Sequence, residues 1–183
     1  MSNAEHMQAN RPAPCIVWLT GISGAGKSTL ARKVEIRLLA MGLHPVVLDG
    51  DDMRRGLNRN LGFTPADRME SVRRAAEVAK LLLAAGHIVI VALISPFRGS
   101  RELARSLVPA GHFLEVYVDT PIEIAEARDP KSLYRQARRG EITNFTGIDS
   151  PYEAPERPDL HLDGAFSSPD ALANQVMDLL TAR

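Results

Sequence analysis

Five short apolar runs, at 15–20, 45–48, 88–94, 113–118 and, more weakly, 159–162, punctuate the chain. Between them the apolar spacing turns helical. Ala31, Val34, Leu38 and Met41 fall on one helical face that Gly42 closes, and Met69, Val72, Ala76, Ala79 and Leu83 do the same across 65–85 before Gly86. Thr64 suits an N-cap, Pro65 a first helical residue and Asp67 an acid in the first turn. Ser168 and Pro169 open a last helix in the same way, with Leu172, Val176 and Leu179 on its apolar face. A shorter helix is expected from Met53 to Leu57. Apolar runs alternating with helical patterns predict βαβ units: an α/β domain whose mostly parallel, five-stranded sheet carries helices on both faces. Residues 140–160 break the pattern, because Gly140, Gly147, Pro151, Pro155 and Pro158 forbid long regular elements. A long loop inside a compact domain is usually functional or mobile. Following an arginine-crowded helix, this one reads as a lid spanning about 128–157.

Composition narrows the function more than the fold. With 183 residues the chain can bury one real core, so 15–183 reads as a single domain behind a disordered arm at 1–14. Lys and Arg balance Asp and Glu at 22 each, which argues against a nucleic-acid coat or a membrane-surface binder. The lone Cys15 excludes an internal disulfide, points to a reducing, cytoplasmic setting, and reads as a core thiol because it lies in the first apolar run. No apolar run reaches the roughly 20 residues a membrane helix needs, since Gly86 and His87 divide 81–94. The five histidines have no metal-ligand spacing.

The most specific local signal is Gly21-Ile22-Ser23-Gly24-Ala25-Gly26-Lys27-Ser28, followed by Thr29. It fits G-x-x-x-x-G-K-[ST] and sits between an apolar run and a helical pattern, where its chemistry requires it. Its glycines let backbone N–H groups approach a polyphosphate, beside the positive end of the following helix. Lys27 is placed to reach the outer phosphates and Ser28 to ligate Mg²⁺.

A second cluster is expected beyond the carboxyl ends of the strands. Asp49, Asp51 and Asp52 follow the second run, and Ser95-Pro96-Phe97-Arg98 follows the third. Three aspartates within four residues repel one another unless a cation offsets them. They read either as a polar turn capping a short helix or as the acceptor-side carboxylates of a phosphoryl transfer. Cations crowd the same region: Arg54, Arg55, Arg59, Arg68, Arg73, Arg74, then Arg128, Lys131, Arg135, Arg138 and Arg139. Arginine recognises phosphate and sulfate bidentately, and about four of these cations are expected to act, the rest forming solvated helix faces. Phe63 and Phe145 lie in turn-like segments, where exposed rings could stack on a purine.

Taken together the residues resemble the adenylylsulfate kinases (APS kinases), a family of P-loop kinases. The resemblance is carried by Gly21–Ser28, Leu48-Asp49-Gly50-Asp51, Gly56-Leu57-Asn58, Leu61-Gly62-Phe63, Ile94-Ser95-Pro96-Phe97-Arg98, 115–121, 126–131 and Asn144-Phe145-Thr146-Gly147-Ile148-Asp149-Ser150 running on to Glu156. It implies a three-layer P-loop kinase fold and the reaction ATP + adenosine 5′-phosphosulfate (APS) → ADP + 3′-phosphoadenosine 5′-phosphosulfate (PAPS), with Mg²⁺ accompanying ATP. By resemblance Asp51, Arg54, Phe63, Arg68, Ser71, Ile94, Ser95, Lys131, Asn144 and Phe145 fall on the APS site, and Ser95 matches a serine assigned as a phosphoserine intermediate. It further implies a homodimer, or one part of a bifunctional sulfate-activating protein.

The expected mechanism follows. Gly21–Thr29 hold ATP; Asp51 orients or deprotonates the 3′-hydroxyl with Asp49 behind it; Arg54 and Arg68 hold the acceptor's anions; Phe63 and Phe145 sandwich its adenine; Lys131 closes with the lid. In-line transfer needs no covalent step, so Ser95 could equally hold substrate or cap the next helix. Three positions depart from the family pattern: Asp52 for Asn, Ser71 for Asn and Ser132 for Gly. The rival readings are a kinase for a nucleoside monophosphate or sugar acid, a non-catalytic nucleotide switch, and an inactive kinase-like domain. A guanine-reading N-K-x-D segment, which a GTPase switch would need, is absent from the sequence.

Overall fold

The computed structural model describes residues 11–183, so most of the expected N-terminal arm lies outside the described residues. Five parallel strands, β1 (Ile16–Thr20), β2 (Val46–Asp49), β3 (Val89–Ala92), β4 (Phe113–Asp119) and β5 (Leu160–Asp163), form one sheet in the order β2-β3-β1-β4-β5. The helices are α1 (Lys27–Ala40), α2 (Gly50–Arg55), α3 (Pro65–Ala84), α4 (Arg98–Ser106), α5 (Ile122–Arg128), α6 (Leu133–Arg138) and α7 (Pro169–Thr181).

Successive side chains of a strand point to opposite faces, and β1 uses both. Val17 and Leu19 pack with Leu30, Val34 and Leu38 of α1 and with Leu172, Ala173 and Val176 of α7. Ile16 and Trp18 pack with Val72, Ala75, Ala76 and Ala79 of α3 and Ala104 of α4. β1 is therefore the fully buried centre of three layers, and its carboxyl end lies where connections leave for both sides of the sheet.

The caps expected at Thr64 and Ser168 are present: their side chains accept from the amides of Asp67 and Ala171. Cys15 is buried in the core, and burial pushes its thiol pKa up. Several expectations need correction. The short helix begins at Gly50, not Met53, because the Asp49 carboxylate caps it by accepting from the Asp51 amide at 2.9 Å. The arginine-crowded helix is two helices, α5 and α6, parted at Asp129. Met41 and Met69 are exposed rather than on the covered faces, and in α7 the fully buried leucine is Leu180, with Leu179 only partly covered. No helix among the described residues is long and apolar enough to cross a membrane.

Candidate active site

The phosphate loop follows β1 directly, and two glycines show why the motif is spaced as it is. Gly21 has φ 147° and a Cβ there would stand 2.5 Å from the Val118 carbonyl oxygen; Gly24 has φ 75° and a Cβ would meet the Ala125 carbonyl oxygen at 2.8 Å. Neither position admits another residue without moving backbone. The loop wraps back on Lys27, whose ammonium donates to the carbonyls of Gly21 and Ile22 at 2.7 Å each. Burial pulls the Lys27 pKa down to about 7; Asp49 and Asp51 oppose that shift and Lys131 adds to it. Removing a cation from water without a full counter-charge favours its neutral form.

A cavity of about 770 Å³ opens beyond the carboxyl ends of β1, β2 and β3. Ser23–Thr29 form its floor, so the lysine, Ser28 and Thr29 all face it, whereas Gly21 and Ile22 contribute through their carbonyls to Lys27. One side is lined by Asp49, Asp51, Arg54, Phe63, Arg68 and Ser71, continuing to Ile94, Ser95 and Pro96. Lys131 and Phe145 come in from 128–157. Of the cations singled out in the sequence, four line this space: Arg54, Arg68, Arg128 and Lys131. Others form exposed ion pairs, as Arg73 and Arg74 do with Glu70, Arg138 with Glu126 and Arg139 with Glu141.

The lining is held from behind. Arg54 lies over the Phe63 ring with its guanidinium carbon 4.4 Å from the ring centre, and Arg68 lies at 5.6 Å. Arg68 is buried and donates to the carbonyls of Phe63 at 3.1 Å and Asn144 at 2.8 Å, tying α3 to residues 128–157. Burial, with Arg54 beside it, brings its pKa down to about 10, and burial also lowers that of Arg54. Both guanidiniums are thus short of negative partners, which suits an anionic ligand. Asn144 takes part through its backbone, at φ 58°, and does not line the cavity. Lys131 forms an ion pair with Asp51, the cation that offsets the acidic turn.

Two expectations change here. Phe145 is buried, not exposed: its ring meets Tyr134 edge-on at 4.9 Å in a small separate core with Ala125 and Ala137. It reaches the cavity as part of that core. The Ser95 side chain is buried as well, accepting from the Trp18 indole at 3.0 Å and donating to Thr20 Oγ1 at 3.0 Å. Nor does Ser95 cap the next helix, whose N-cap is Phe97 without a side-chain bond.

The sequence reading missed the far end of the cavity. Gly164, Ser167, Pro169 and Leu172 line it after β5, and Arg128 donates to the Gly164 carbonyl at 2.9 Å. The available signal was the position of Gly164 just past a strand end, where ligands gather in open sheets. Tyr134 was also missed; its hydroxyl donates to the Ser23 carbonyl at 2.8 Å and joins α6 to the phosphate loop.

The family described as adenylylsulphate kinase matches residues 13–163. The bifunctional enzyme NodQ of Azospirillum brasilense is 54% identical over 98% of this chain, which spans only 29% of that protein's length. The adenylyl-sulfate kinase of Pseudomonas aeruginosa is 51% identical over 98% of this chain and 92% of its own. Among solved structures, the Mycobacterium tuberculosis APS kinase CysC in complex with AMPPNP and APS superposes with a TM-score of 0.88 at 53% identity, covering 92% of this chain and 98% of that one. With a phosphate loop facing a basic, aromatic wall, and with relatives of this likeness over nearly its whole length, the chain belongs to the adenylylsulfate kinase family.

Proposed function

We propose that the chain transfers the γ-phosphoryl group of ATP to the 3′-hydroxyl of APS, giving PAPS and ADP. The observation that carries the reading is a single cavity whose floor is the phosphate loop and whose side wall brings Asp51 together with Arg54, Arg68 and Phe63. Lys27 and the loop amides hold the donor phosphates, while Gly164, Ser167 and Pro169 border the space left for the donor base. Arg54 and Arg68 bind the acceptor's phosphosulfate, and Phe63 offers its adenine a ring already backed by a cation. Asp51 accepts the proton of the 3′-hydroxyl, which needs no more than a positioned carboxylate.

The oxygen donors nearest the phosphate loop, the Ser28 hydroxyl and the Asp49 carboxylate, suit a hard cation that keeps most of its waters. Mg²⁺ held there with ATP would neutralise charge on the transferring phosphoryl group. Direct transfer is the route proposed, because the Ser95 hydroxyl is turned away into bonds with Trp18 and Thr20. We also propose that residues 128–157 move as a lid over this site, with Lys131 leaving Asp51 as acceptor enters. The share of NodQ that the chain spans supports a role as one part of a bifunctional protein as well as a free-standing enzyme.

The test is an acceptor screen with ATP and Mg²⁺, following ADP release with APS, AMP or gluconate. Turnover with APS alone supports the proposal. Comparable turnover with AMP or gluconate, or ATP hydrolysis indifferent to acceptor, overturns it.

A further inference from the structure

Ser95 is one of three non-glycine residues among those described with positive φ, at 41°. A left-handed backbone is unfavourable for a residue with a Cβ, so something must hold it. Its neighbours Ile94 and Pro96 both line the acceptor side of the cavity, so the turn sets the shape of that wall.

Trp18 and Thr20 hold the Ser95 side chain, and Arg101 of α4 holds its carbonyl. The Arg101 guanidinium is only 2% exposed and does not line the cavity. Three nitrogens serve three directions: Nε donates to Glu115 at 2.6 Å, Nη1 to the Ser95 carbonyl at 2.7 Å and Nη2 to the Glu153 carbonyl at 2.6 Å. The Glu153 amide in turn donates to the Pro96 carbonyl at 2.8 Å, closing the loop around the turn. A planar fork can span a carboxylate and two carbonyls at once, whereas an ammonium is a compact point charge. Glu115 makes this buried cation tolerable, and the two carbonyls give it work to do.

We infer that Arg101 is a positioning residue for the acceptor: through the Ser95 carbonyl it fixes the Ile94–Pro96 wall, and through Glu153 it anchors the end of the lid segment to that wall. The inference rests on reading this wall as the APS side. Its neighbour Arg105 provides the contrast. It lies on the same helix and reaches the same Glu115 at 3.5 Å, but otherwise bonds Asp159 and the Phe113 carbonyl, away from Ser95.

The experiment compares Arg101→Lys and Arg105→Lys with the wild-type protein, measuring KM for APS and for ATP and the emission of Trp18. That residue is the chain's single tryptophan, and its indole donates to Ser95. Arg101→Lys keeps the charge beside Glu115 and loses the fork. It is expected to raise KM for APS about ten-fold, corresponding to loss of one net charged hydrogen bond, to leave KM for ATP within about two-fold, and to shift the emission. Arg105→Lys is expected to change none of these. Should Arg101→Lys not fold, Arg101→Gln combined with Glu115→Gln leaves no lone buried charge and is held to the same readouts. An unchanged KM for APS, a parallel rise in both KM values, or the same effects from Arg105→Lys would overturn the inference. A wild-type protein that does not turn over APS would instead remove the reading beneath it.

Discussion

The phosphate loop and the acceptor wall opposite it are made in different ways. The loop is nine consecutive residues, Gly21–Thr29, whose shape comes from glycines no other residue can replace and from a lysine folded onto its own backbone. The wall is gathered from α2, the turn before α3, α3 itself, the turn after β3 and residues 128–157, and arginines hold those pieces together from behind. A local motif carries its geometry with it, so one short stretch suffices to fix the donor side. An assembled wall depends on long-range bonds, so a change of acceptor requires altering several segments. The difference teaches that donor chemistry is shared widely by the fold while acceptor choice lives in the tertiary structure.

Changes on either side should therefore fail differently. The largest effect is expected from Asp51→Asn, which keeps the shape and removes the carboxylate proposed as base: kcat should fall by about 10²–10⁴-fold while ATP affinity measured by titration holds or improves. A smaller fall would mean that Asp51 serves mainly to pair Lys131, in which case Lys131→Met should match it. Next comes Lys27→Ala, expected to lower kcat by about 10²–10³-fold and to weaken nucleotide binding as well, because Lys27 belongs to the donor side.

A proton measurement sharpens the same contrast. With the Lys27 pKa brought to about 7, the free protein at pH 8.5 carries it mostly neutral. A bound polyphosphate restores the ammonium, so nucleotide binding should take up about one proton at pH 8.5 and much less at pH 6. Affinity for ATP should accordingly weaken as pH rises above 7. Calorimetry in two buffers of different ionisation heat reads the uptake directly, and Lys27→Ala should abolish it. APS binding, governed by arginines that stay charged, should show no such change. The smallest effect belongs to the start of α6, where Ser132 has φ 56°. Ser132→Gly relieves that left-handed strain and should stabilise the protein by roughly 0.5–1 kcal/mol, raising Tm by about 2 °C in a melt.

The same division explains what could be read before any fold was in hand. Apolar runs and cap residues act within a few positions, so the five strands, the cap at Thr64 and the phosphate loop were all legible. The acidic turn was legible as the cap of a short helix, but the start at Met53 fell three residues late because the capping carboxylate is that of Asp49 itself. Phe145 reads as exposed in the sequence because its covering ring, Tyr134, belongs to another element. Ser95 was legible as a residue of interest, but not the burial of its hydroxyl between Trp18 and Thr20. Arg101 gave no signal at all, since its partners lie at 95, 115 and 153. Periodicity records which face is buried and cannot record which distant carbonyl a buried arginine meets.

The central claim is that this cavity places the 3′-hydroxyl of APS, and no other group, in line with the donor phosphate. The most direct measurement is phosphorus NMR with mass analysis of the nucleotide formed from ATP, Mg²⁺ and APS. The account predicts one new product, heavier than APS by a single phosphoryl group, with that phosphate coupled to the ribose 3′ proton and formed in equal amount to ADP. A phosphate at any other position, or ADP without a phosphorylated acceptor, would contradict it.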